Sequence, residues 1–248
     1  MANFLLTEET APAGIGFSLF GPLHLTWLVL MIATAIICCR LYKNGNEKRR
    51  KTIRITFAVL LLLNEIFKQA MLLIGNSWMP KYLPLHLCSI NIFLACWHAF
   101  RPNKTLGTFL FTVSIPAAMA AMLFPTWTCL PLWNFMHLHS FTVHIQLIVY
   151  PLMLLWSGEV KRNIRQVPKC VLILLVMSAI DYVVNLLLGT NFMFLMYAPE
   201  GNPLYWFQQT FGSHFIGFPV LIAAVVVIMF MPLPKQLKDR RGKKNANV

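Results

Sequence analysis

The sequence predicts an all-α protein, a polytopic bundle of seven transmembrane helices with the N-terminus outside and the C-terminus in the cytoplasm. Three observations carry this reading. The 248-residue chain is 58% hydrophobic and only 12% charged, with a mean hydropathy of +0.64. Soluble domains are about a quarter charged, so this chain has too little polar surface to cover itself in water. Low hydrophobicity is the precondition of disorder, and it is not met. Seven apolar runs have the ~17–25 residues that a helix needs to cross ~30 Å of hydrocarbon. The basic residues, finally, occupy alternate connections.

The spans read in order as Leu23–Leu41, Ile53–Ile74, Leu83–Phe100, Leu106–Phe124, Leu138–Ser157, Val167–Leu188 and Phe211–Met231. Residues 1–22 then form an extracytoplasmic segment, 23–232 the seven-helix domain and 233–248 a basic cytoplasmic tail. Residues 1–20 carry Glu8 and Glu9 but no Lys or Arg. They lack the basic start of a signal peptide, and the first span is expected to direct insertion. Small residues from Ser114 to Ala121 suit close packing of the fourth helix. The long connection Gly189 to Thr210 reads either as a lid over the bundle or as an ordinary loop.

The formal charge of +13 would suggest nucleic acid in a soluble protein. Here 19 of the 21 basic residues fall in, or within a few residues of, the connections between spans one and two, three and four, five and six, or in the tail, leaving Lys68 and Lys81. The positive-inside rule makes those connections cytoplasmic. The charge therefore sets topology and contacts anionic head groups, so the expected partners are membrane phospholipids and not nucleic acid. Oligomeric state is left open. Of six cysteines only Cys129 falls in an outer loop, so no disulfide framework is expected. Cys38, Cys39, Cys96 and Cys170 read as small apolar fillers.

Ionisable groups inside spans are costly and usually face the bundle interior. The second span carries Asn64, Glu65 and Lys68 on one strip. The third opens with His86, Cys88 and Asn91; Cys88 and Asn91 share a face, and His86 on the same helix would be turned about 160° from Cys88. The fifth carries His139 and places His137, Ser140 and His144 along one side, and the sixth pairs Asp181 with Asn185. His24, His98 and His214 read as structural. Counting ~1.5 Å per residue, these groups gather in the outer half of the bilayer, whereas the inner half is almost purely apolar apart from His98. A polar cavity in the outer half is the expectation.

Cysteine is the strongest nucleophile in that set, provided a base takes its proton. Cys88 as nucleophile, His144 as base and Asp181 as its orienting group would suit acyl transfer. His86, Asn91, His139, Ser140, Glu65, Lys68, Asn185 and Asn191 would support or bind substrate, with no cofactor. The competing chemistry is zinc hydrolysis, with His137, His139, His144 and Asp181 as ligands. A further alternative is a non-enzymatic protein that binds or transports lipid or a small solute.

The segments Leu83-Pro-Leu-His86-Leu-Cys88-Ser-Ile-Asn91-Ile-Phe, His137-x-His139-Ser140-x-x-x-His144 and Gly189-Thr-Asn191-Phe-Met193-Phe-Leu resemble the YwaF-like bacterial integral membrane proteins. That family is similar to eukaryotic transmembrane protein 164. The resemblance implies a multi-pass protein of a bacterial plasma membrane. It further implies a cysteine-dependent acyltransferase acting on lysophospholipids, with Cys88 as the cysteine and His86, His139 or His144 as the histidine.

Overall fold

The computed structural model describes residues 3–161, 164–199 and 203–212. It is helical, with no strand among these residues: α1 (Pro22–Lys43), α2 (Glu47–Ile74), α3 (Leu87–Phe100), α4 (Lys104–Phe109), α5 (Ile115–Leu123), α6 (Phe135–Trp156), α7 (Val167–Leu188) and α8 (Pro203–Phe211). Six segments are long and apolar enough to cross a membrane, α4 and α5 forming one of them. The seventh expected span, Phe211–Met231, lies outside the described residues apart from its first two positions, as do His214 and the tail 233–248. The spans alternate in direction, so the basic connections gather at one end of the bundle. The exposed stripe Leu25, Val29, Ile32 and Ile36 on α1 follows helical spacing, as expected of a face against lipid.

α6 is the central helix, packed against α1, α2, α3 and α5. Two prolines shape its contact with the fourth span. Pro151 lies inside α6 and has no N–H to give the Leu147 carbonyl four residues earlier. Ser114 Oγ donates to that carbonyl instead, at 3.2 Å. Pro116 would crowd the carbonyl of Thr112 in the same way. The chain widens into a π turn over Leu110–Ser114 just before it, and this relieves the clash. Ser114→Ala is expected to leave the buried Leu147 carbonyl unpaired and cost about 1–3 kcal/mol. Thermal unfolding in detergent measures this, and an unchanged midpoint would contradict it.

The basic end is more polar than expected. Tyr42, wholly buried, donates from its hydroxyl to Glu159 Oε2 at 2.8 Å. Arg54 Nη1 donates to both, at 2.6 and 3.2 Å, and Arg50 pairs with the other carboxylate oxygen at 3.4 Å. Deeper, His98 bonds the Tyr150 hydroxyl at 2.9 Å. These groups sit beside the loops, where long basic side chains reach buried partners while their chain ends stay at the membrane surface. A count of ionisable letters within apolar runs overlooks this.

At the opposite end, residues 3–21 fold over the bundle as a cap. Asn134 Nδ2 donates to the carbonyls of Asn3, Phe4 and Leu6 at 2.8–3.2 Å, and Phe17 N donates to Thr128 O at 2.8 Å. Glu9 pairs with Lys81 and accepts from the Tyr82 hydroxyl at 2.9 Å.

Candidate functional site

The third span begins later than expected. Leu83 precedes Pro84 and is held extended (φ −53°, ψ 143°), as proline requires of its predecessor. After a short 3₁₀ turn at Pro80–Tyr82 the chain stays non-helical to His86, the N-cap of α3 (φ −59°, ψ 146°). Cys88 is therefore in the first helical turn. His86, outside the helix, is not turned away as helical geometry would place it. Both face the same cavity.

That cavity, about 590 Å³ in volume, lies at the capped end of the bundle. Its polar lining includes Lys68, His86, Cys88, His139, Ser140 and His144. His86 and His139 each lie within electrostatic range of both Lys68 and His144. Glu8 and Lys81 lie at the cap.

The three histidines are held differently. Asn134 caps α6 by accepting from Met136 N and His137 N at 2.9 and 3.2 Å, which sets the phase of the helix. His144 Nδ1 donates to the Ser140 carbonyl at 2.6 Å, so Nε2 is the unprotonated nitrogen of the neutral ring. Its ring stacks on Trp127, centroids 5.3 Å apart and planes 13° off parallel. His139 Nδ1 meets the backbone and side-chain oxygens of Asn64 at 3.1 and 3.0 Å, and its Nε2 faces Glu65 Oε2 at 3.8 Å. His86 makes ring contacts with Phe192 and Phe194. The Glu65–Lys68 pair is direct, at 2.7 Å, with side chains 6% and 9% exposed. Gln69 adds a bond to Glu65 at 2.9 Å.

Several expected site residues fall elsewhere. Asp181 is buried on α7, off the cavity wall. Ser178, Asp181 and Asn185 share one face of α7, and two of them hold the chain that follows: Ser178 bonds Met193 Sδ at 3.6 Å, and Asn185 bonds Phe192 N and O at 2.7 and 3.0 Å. The loop after α7 therefore stands between that helix and the cavity, and the acceptor on His144 Nδ1 is the Ser140 carbonyl in place of Asp181. Asn91 is wholly buried away from the wall, with neither side-chain polar atom bonded among the described residues. Asn191 lines the cavity but turns its oxygen onto its own loop, accepting from Met196 N at 3.0 Å.

The zinc alternative loses its ligand set. His137 accepts from Trp27 Nε1 at 3.0 Å and donates to the Leu130 carbonyl, so it faces α1 and not the cavity. No cluster of three His, Cys, Asp or Glu suited to a metal occurs among the described residues. His24 is likewise satisfied, between Phe20 N at 2.9 Å and Met122 O at 2.7 Å. Cys129, in the loop before α6, is pushed above its ordinary pKa by desolvation and by Glu8, which disfavours the thiolate.

Part of Gly189–Thr210 does cover the cavity: Gly189, Thr190, Asn191, Met193, Phe194, Tyr197 and Pro199 are in its wall. Gly189, at φ 64°, ends α7 and starts this turn. Met193 and Phe194 also take left-handed φ values of 54° and 53°. Trp127, also in the wall, is a residue that spacing and residue type do not single out; its one signal in the sequence is its place shortly before the histidine-rich helix.

Fold and site together define a multi-pass membrane protein with a cavity lined by one cysteine and three histidines at one end of its helical bundle. The chain belongs to the TMEM164 family, whose profile matches residues 19–231. No curated protein and no solved structure matches it.

Proposed function

We propose that this protein is a membrane lipid acyltransferase that carries the acyl group on Cys88. The observation that supports it best is the convergence of Cys88 and His144 on one cavity, with His144 Nδ1 bonded to Ser140 and Nε2 left to act as a base. The positive-inside rule puts the cavity in the outer half of the bilayer of a cell membrane, with the N-terminus outside and the basic end in the cytoplasm.

In the reaction, His144 Nε2 takes the Cys88 proton as Sγ attacks the ester carbonyl of a donor phospholipid. The oxyanion meets the first backbone N–H groups of α3, which have no side-chain cap among the described residues and sit at the positive end of the helix dipole. The ester C–O bond breaks, and His144 returns the proton to the departing lysophospholipid oxygen. The hydroxyl of an acceptor lysophospholipid then attacks the thioester. Its proton passes through His144 to the Cys88 sulfur, which restores the enzyme.

The test is mass spectrometry of the purified protein in phospholipid nanodiscs. A hydroxylamine-sensitive acyl adduct on the Cys88 peptide, chased by added lysophospholipid, supports the reading. Lipid recovered with the protein while Cys88 stays unmodified and no transfer occurs would overturn it and favour a binding protein. His144→Gln is expected to slow transfer by about 10²–10⁴-fold while Cys88 stays reachable by a small alkylating reagent. Wild-type rates in that variant would pass the base role to another histidine.

A further inference from the structure

The cavity is unequal from side to side. Its polar groups come from α2, the start of α3, one face of α6, the cap and the loop after α7, whereas α5 and its C-cap contribute only Ala117, Ala120, Ala121 and Phe124. At ~1.5 Å per residue, Ala117 lies about 10 Å deeper along the helix than Phe124, so the apolar side runs the depth of the chamber. Met136, Val143 and Met193 add further apolar surface to the wall. Methionine fits itself to an irregular apolar partner. Ala120 and Ala121 are half-buried and open onto the space.

We infer that the α5 side of the cavity is the seat of the transferred fatty-acyl chain, and that Ala120 sets the length of chain accepted. The inference rests on the Cys88 acyl-enzyme. Two properties of the chamber support it. A chain whose carbonyl is bonded to Cys88 has to lie in the same chamber, and the wall free of charged and hydrogen-bonding side chains is the one that accepts methylene groups without leaving buried polar atoms unpaired. Each methylene that finds an apolar place contributes roughly 0.8 kcal/mol, so the depth of that wall grades chains by length. A methyl group at position 120 leaves the lane open, and a phenyl ring there closes it.

The experiment compares wild type, Ala120→Phe and Ala121→Leu in nanodiscs, supplied with phospholipid donors carrying saturated chains of eight to eighteen carbons. The readout is the acyl adduct on Cys88, resolved by chain length. Wild type is expected to prefer the longer chains. Ala120→Phe should lose at least tenfold in the sixteen- and eighteen-carbon adducts while keeping the eight-carbon adduct, and Ala121→Leu should show a smaller shift in the same direction. An unchanged length profile, or an equal fall at every length with normal melting and normal alkylation of Cys88, overturns the inference. Absence of any Cys88 adduct in wild type overturns the acyl-enzyme reading beneath it, so the two failures are told apart.

Discussion

Cys88→Ala is expected to abolish acyl transfer, by at least about 10⁴-fold, because Cys88 is the one thiol in the cavity wall among the described residues. The lining offers Ser89 and Ser140 as alternative hydroxyls, but an alcohol is a far weaker nucleophile than a thiolate near neutral pH. Cys88 is half-buried and sits in the first turn of α3, where alanine is a good helix former. The variant should therefore fold and melt like wild type. Transfer from radiolabelled phospholipid to a lysophospholipid measures the effect, with retained lipid binding as the control. Retained transfer in Cys88→Ala would eliminate the mechanism outright.

The second large effect is on stability. Lys68→Met should destabilise the bundle by about 3–5 kcal/mol, because it leaves the Glu65 carboxylate buried and uncompensated. Glu65 is 4% exposed, and its Oε2 has no hydrogen bond among the described residues. Gln69 and His139 approach it, but neither replaces an ammonium at 2.7 Å. The double variant Glu65→Gln/Lys68→Met removes both charges and is expected to recover most of the loss, since an intact buried pair often contributes little beyond its own desolvation. Chemical unfolding in mixed micelles measures both. A single variant as stable as wild type would show that the pair is not a constraint on the fold.

The architecture was legible because membrane insertion is a local rule. Twenty apolar residues must form a helix in lipid wherever they occur, since no water is present to bond the backbone, and six of the expected spans stand within the described residues. That Ser140 and His144 share one side of α6 followed from helical spacing. His86 was misplaced because Pro84 delays the start of α3, which turns a residue expected on the far face into one at the cavity. His137 lies within about 20° of His144 around α6 but two turns away along it, and there Trp27 and the Leu130 carbonyl hold it toward α1.

Asp181 illustrates the other limit. Its depth in the membrane suited a partner for His144, but depth along a helix does not say what intervenes. The loop after α7 folds back and fills the space, held by Asn185, and the orienting acceptor is a backbone carbonyl that no residue type announces. The amino-acid sequence by itself determined that this is a helical membrane protein, which connections are basic, and which nucleophile and bases are present. Only the tertiary structure decided which of them meet, because helix phase and loop return depend on caps, prolines and contacts between residues far apart in the chain.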